Sequence, residues 1–237
     1  MPAISKLILL FLILACASCG VFKEDSSVHD LPDGEYRSKV FAKAKVYVEN
    51  RGDSIVVHKL SKVNGDFVAD TIKPFVKIFV CKTNEKVNTQ YYHSLSFDLD
   101  ALTIPFKYRP ETKSLPQQFT TSLNGAAYLG IRKDFYRIKY SKHFFNYYER
   151  ESHHYAISLG GFTGFGSTAM NPWVTDYNIN SEYEGVVWLK GAALIMAVGK
   201  YTSGVSIAWD NLLDKNSKYW IYERKPWIGL VFGLNLN

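Results

Sequence analysis

FTTSLNGAAYLGIR, residues 119–132, and YAISLGGFTGFG, residues 155–166, alternate with a period of two. In the first, Phe119, Thr121, Leu123, Gly125, Ala127, Leu129 and Ile131 share one parity, and Thr120, Ser122, Asn124, Ala126, Tyr128, Gly130 and Arg132 the other. In the second, Tyr155, Ile157, Leu159, Gly161, Thr163 and Phe165 alternate with Ala156, Ser158, Gly160, Phe162, Gly164 and Gly166. Successive side chains of a strand point to opposite sheet faces, so each stretch predicts a long strand with one greasy face and one small or polar face. Working outward, Val205, Ile207 and Trp209 alternate with Ser206, Ala208 and Asp210, and Leu230, Phe232, Leu234 and Leu236 with Val231, Gly233, Asn235 and Asn237. Gly191–Gly199 (GAALIMAVG) is apolar on both faces; Lys190 and Lys200 share a parity there, which predicts that the even face is the inner one.

Two settings produce such strands. A soluble barrel or sandwich buries the greasy face, whereas a transmembrane barrel turns it to lipid and keeps small or polar residues inside. Three features favour the membrane. Strands predicted near 95–108, 117–140, 144–166, 186–199, 203–211 and 219–236 are mostly far longer than the usual five or six residues. All five tryptophans lie between Trp173 and Trp227, with Trp188, Trp209, Trp220 and Trp227 near strand ends, as interfacial girdles require. The connections alternate: Arg109–Pro116, Ser167–Gly185 and Leu212–Lys218 are long, Ser141–His143 and Lys200–Thr202 tight. Six strands fall short of the eight expected of a one-chain barrel, so the rest must come from residues 36–82 or from further chains.

Those residues read as shorter strands. Lys45–Glu49 and Ser54–Leu60 flank the turn Asn50-Arg51-Gly52-Asp53, and Asn64-Gly65 is the next turn. The 237 residues suit one domain or two small ones, and 15% aromatics exclude a disordered chain.

The N-terminus is a targeting signal: Lys6, an apolar run Leu7–Leu14 too short to span a bilayer, then small residues and cysteines. The end of that run resembles the lipobox of bacterial lipoproteins, in which a cysteine becomes the lipidated first residue. Cys19, within Ala17-Ser18-Cys19-Gly20, leaves the fuller apolar run; Cys16 is the alternative. Lys23-Glu24-Asp25 resembles a surface-export signal of some gram-negative lipoproteins and reads equally as a solvated charge cluster. The closing Trp227–Asn237 stretch resembles the last strand of outer-membrane barrels, with Asn237 where an aromatic is usual. With Cys19 lipidated, Cys81 has no disulfide partner and reads as a small core residue.

Chemistry-bearing motifs are sparse. His153-His154 point to opposite faces of a strand and cannot share one ion without distortion. Gly160–Gly166 lacks the Lys-Ser/Thr of a phosphate loop. Asp98 and Asp100 share a strand face. His154 and Ser158 share parity, as in lipid-modifying barrel hydrolases, but lie four residues apart, too far along a strand for direct contact. The richest surface is the hairpin Arg132–Arg150, where Arg132, Lys133, Arg137, Lys139 and Lys142 interleave with aromatics. For an exported chain its acidic partner is a phosphorylated glycolipid such as lipopolysaccharide, or the membrane interface, and not nucleic acid; cross-strand aromatic pairs with solvated basic neighbours are the plain alternative.

The sequence thus predicts an all-β protein with a signal over 1–18, a tether over 19–33, short strands over 34–83 and an antiparallel outer-membrane-type barrel over 84–237. The alternative is a soluble, lipid-anchored barrel or sandwich holding a greasy ligand. Neither enzyme activity, a metal nor a cofactor is expected; membrane lipid is the expected partner, and oligomers are allowed.

Overall fold

The computed structural model describes residues 31–41, 44–69, 76–112, 115–198 and 201–234. The signal, Cys16, Cys19 and the tether up to Asp30 lie outside the described residues. The described chain is all-β, with thirteen antiparallel strands, three single-turn 3₁₀ segments and no α-helix.

Five short strands come first: β1 (Gly34–Ser38), β2 (Lys45–Asn50), β3 (Ser54–Val63), β4 (Asp66–Ala69) and β5 (Val76–Val80). The predicted turns are present, with positive φ at Asn64 (52°), Gly65 (100°) and Gly52 (80°). Then come β6 (Lys82–Thr83), the long β7 (Gln90–Arg109), the short β8 (Gln118–Thr121), and the long β9 (Asn124–Lys142), β10 (Tyr148–Met170), β11 (Tyr183–Val198), β12 (Tyr201–Leu212) and β13 (Pro226–Leu234).

The strands β7, β9, β10, β11, β12 and β13 pair in sequence, and β13 returns to β7 from Ile228↔Tyr108 to Gly233↔Leu102, with a bulge between Leu230 and Phe232. One chain therefore closes a ring of six, without the extra strands or chains expected from the sequence. The physical reason lies in the inner face. Gly160 opposes Gly130 across β9–β10, and a Cβ on Gly160 would collide with the Leu129 carbonyl oxygen and the Gly130 Cα. A side chain at Gly229 would meet Trp227 and Ile104 at 2.6 and 2.8 Å. Glycine at such points lets strands bend sharply and leaves room for a few large rings, which is how a narrow ring fills without splaying. Its core is Leu102, Ile104, Tyr128, Phe162, Leu189, Ile195, Trp227 and Val231 with interspersed alanines.

The ends of β7, β9 and β10 extend beyond the ring. There β7 pairs β1, the order runs on through β2 and β3 to β5, and β6 pairs β10 at Tyr148↔Thr83. Cys81 joins β5 to β6. Its N–H donates to the Asp53 carbonyl (2.6 Å), and its carbonyl accepts from the Arg150 N–H (2.9 Å), so the half-buried Cys81 completes a second circuit rather than sitting in a core. That circuit encloses Leu31, Tyr36, Val46, Val48, Ile55 and Val57, together with Tyr92, Ile138 and Tyr140 from the long strands.

Three readings of the sequence need correction. The strand predicted over 117–140 is broken at Ser122-Leu123, where β8 leaves the β9 line and pairs β7 alone. In β11 the odd residues face inward (Val187, Leu189, Ala193, Ile195 and Ala197 are buried) and Lys190 faces out. Its ammonium lies 4.6 Å over the Trp188 ring, and a lysine that can lay its stem along an apolar surface does not mark an interior. The tryptophans also divide. Trp188 and Trp209 face outward and Trp173 is exposed in a loop. Trp220 and Trp227 are buried, because β13 begins at Pro226 with Trp227 on the inner parity and Trp220 packs over Arg109.

Candidate functional site

The outer surface of the six-stranded ring is apolar. Leu123, Leu129, Ile157, Leu159, Val205, Ile207 and Phe232 are 40–83% exposed, the reverse of what a soluble core would require. Leu95, Phe97, Leu99, Ile131, Leu194 and Met196 extend the surface around the ring. Along β10 the outward row from Tyr155 to Phe165 is roughly 34 Å long at about 3.4 Å per residue. At a tilt near 40° that is about 26 Å of height, close to the ~25 Å apolar band of a membrane barrel. Aromatics border it, with Tyr155 and Tyr201 towards the tight turns and Phe165, Trp188 and Trp209 towards the long loops. Lys190 lies among the latter.

The charges are inside. At one level Arg132 donates through Nε to Asp134 (2.9 Å) and through Nη1 to Asp98 (3.5 Å), and Asp134 also binds His154 Nε2 (2.8 Å). Ser96 donates to Asp134 (3.1 Å), while Tyr128 and Ser158 share a 2.7 Å hydroxyl bond. Near the long loops Asp210, fully buried, receives Lys107 Nζ at 3.0 and 3.3 Å and Arg109 Nη2 at 2.5 Å. These groups cross-link β7, β9, β10 and β12 through the middle of the ring and fill it, so the interior is a packed lattice.

At the long-loop end the ring is split. β8 pairs only β7, the last residues of β10 pair only β11, and no ladder joins Gln118–Thr121 to Ser167–Met170. A cavity of about 540 Å³ occupies this cleft, lined by Thr120, Ser122, Ser167, Trp173, Trp220 and Tyr222, with Arg109 at its wall. The Arg109 guanidinium lies 5.2 Å from the Trp220 ring and 4.9 Å from the Tyr222 ring.

The structure divides the predicted contact residues. Arg137 and Lys139 stand on the outer face of β9 above the apolar band, Lys133 stands inside the band's edge, level with Leu95 and Ile157, and Lys142 is exposed at the hairpin. Arg132 does not join them. Its parity turns it inward, where it is 2% exposed and spent on Asp98 and Asp134. Arg150 likewise points in and donates to the Phe79 and Gly52 carbonyls. His153 faces out and His154 in, and among the described residues no three His, Cys, Asp or Glu side chains converge as metal ligands. The cleft was not legible in the sequence, because its residues come from five separate strand ends and loops; the one local sign was the polar Gln117-Gln118 and Thr120–Ser122 around Phe119 within an otherwise greasy alternation. Comparison of the chain with protein-family models, with curated proteins and with solved structures finds no match in any of the three.

Proposed function

We propose that this protein is an outer-membrane lipoprotein, anchored by lipid on Cys19, whose six-stranded ring is embedded in the bilayer and serves a structural or binding role in the cell envelope. The observation that carries the reading is the inverted distribution of polarity. A monomer in water rarely exposes an apolar patch beyond a few hundred Å², yet here the apolar face encircles the ring while Asp98, Lys107, Arg109, Arg132 and Asp210 are 0–3% exposed inside it. The tight turns and the N-terminal circuit share one end, and in this reading that end faces the periplasm, with Lys133, Arg137 and Lys139 near the headgroups and the long loops outside.

The test is a chain beginning at Gly20, without signal or lipid. It is expected to need detergent for solubility and, in vesicles, to lose Trp188 and Trp209 fluorescence to brominated acyl chains. A folded monomer in plain buffer would overturn the embedding. Labelling cells with a fatty-acid analogue checks the anchor: label is expected to vanish in Cys19→Ser and persist in Cys16→Ser.

A further inference from the structure

We propose that the cleft between β8 and β10 is a binding site for an anionic phosphate headgroup, entered sideways from the membrane. Three observations converge on it. First, three of its lining residues carry hydrogen-bond donors that are buried and have no partner: Arg109 Nη1, Trp220 Nε1 and Tyr222 Oη, on side chains 97% buried. Native interiors satisfy nearly all such groups, and here three unpartnered donors sit together on residues that line one cavity, just behind its surface, where a small side-chain shift would bring them to an acceptor. Second, the formal charge behind that wall is unbalanced. Lys107 and Arg109 share the single carboxylate of Asp210. An anion in the cleft supplies the missing negative charge, and the Arg109 guanidinium, held between two aromatic rings with Nη1 unpartnered, has the planar fork that phosphate oxygens match. The acid on the wall, Glu184, is exposed and screened by solvent. Third, the cleft opens beside the apolar band. Phe119, Leu123 and Phe165, 63–83% exposed, flank it on the outside of β8, the β8–β9 break and β10. A ligand whose head occupies the cleft can lay its tail on those residues, so the site fits an amphiphile better than a free ion. This last part rests on the membrane reading; the donor wall does not.

The experiment uses the full chain in neutral detergent micelles, which hold it whether or not it spans a bilayer. Micelles are doped with phosphatidic acid or with phosphatidylcholine, and inorganic phosphate is added alone in a third arm. Binding is read from native mass spectrometry and from the shift in unfolding temperature. Phosphatidic acid is expected to bind about tenfold more tightly than phosphatidylcholine, the scale of one charge-assisted hydrogen bond. Ser167→Trp, which fills the cleft and leaves Arg109, Trp220 and Tyr222 in place, is expected to abolish the difference, and Tyr222→Phe to weaken it severalfold. Equal response to inorganic phosphate would reject the amphiphile. No preference for phosphatidic acid in a folded wild-type chain, or an unaltered preference in Ser167→Trp, would overturn the site. Bromine quenching of Trp188 and Trp209 in vesicles scores the embedding separately, so the two proposals fail independently.

Discussion

Asp210 ties together two strands of the ring that do not pair with each other. Its carboxylate holds Lys107 and Arg109 from β7 against β12, across the ring from one another in sequence and all within 3% exposure. Removing the acid while the cations stay strands two buried charges. Asp210→Asn is therefore expected to cost about 3–5 kcal/mol, measured by reversible denaturation in micelles. Lys107→Met is expected to cost clearly less, since Asp210 keeps Arg109 and the methionine stem can lie on Trp227, which the lysine ammonium already covers at 4.6 Å. Equal losses would mean that packing, not charge, holds this level of the ring.

Individual strands show what parity decides. The outward row of β10 meets the surroundings directly, and Leu159 at its centre is 63% exposed. If the ring is embedded as proposed, Leu159→Arg is expected to destabilise it by about 2–4 kcal/mol, the cost of arginine at a bilayer midplane. On a face in contact with water the same change would stay within about 0.5 kcal/mol. Unfolding measured in bilayers separates these outcomes. The short strands β1, β2 and β3 form the other element with a definite titration behaviour. Burial pushes the Tyr36 phenol up, helped by the nearby Tyr136 and Asp134, and burial pushes Tyr92 up as well. A group whose folded pKa is raised contributes stability that is complete below its unfolded value, near 10 for tyrosine, and is lost as pH rises through the folded value. The N-terminal circuit is thus expected to unfold above about pH 10 as Tyr36 and Tyr92 ionise. Ultraviolet phenolate absorbance should show a late, high-pH phase that coincides with the loss of strand circular dichroism. Ionisation of every tyrosine at one pH with the fold intact would contradict this.

Over the whole molecule, two circuits of strands share β7, β9 and β10, and the change from one to the other coincides with a change in surface. Around the ring the outer face is mainly apolar, with Lys133 at its edge; above it, Arg137, Lys139, Glu151 and His153 take over on the same strands. The layer of Arg132, Asp98, Asp134 and His154 lies inside near that transition. A charge cluster on the axis with leucines on the perimeter is the polarity that the proposed embedding would require. In an embedded ring the same arrangement would pair most of the buried charges internally and leave a mainly apolar perimeter, with Lys190 at its edge, for lipid.

Local alternation determined the all-β class, the antiparallel long strands, the turns at Asn50–Asp53 and Asn64-Gly65, and which residues of 119–132 and 155–166 share a face. A period of two is a property of the backbone itself and survives any tertiary arrangement. The tertiary structure decided which face is inside. Alternation is symmetric about the sheet, and only closure of β13 on β7 breaks that symmetry. Closure also decided that six strands suffice, because whether Gly160 meets Gly130 closely enough to bend the ring depends on register between strands, not on either sequence alone. The cleft belongs to the same class of fact. Arg109, Trp220 and Tyr222 lie more than a hundred residues apart along the chain at their extremes, and only the departure of β8 from β10 brings them to one cavity wall.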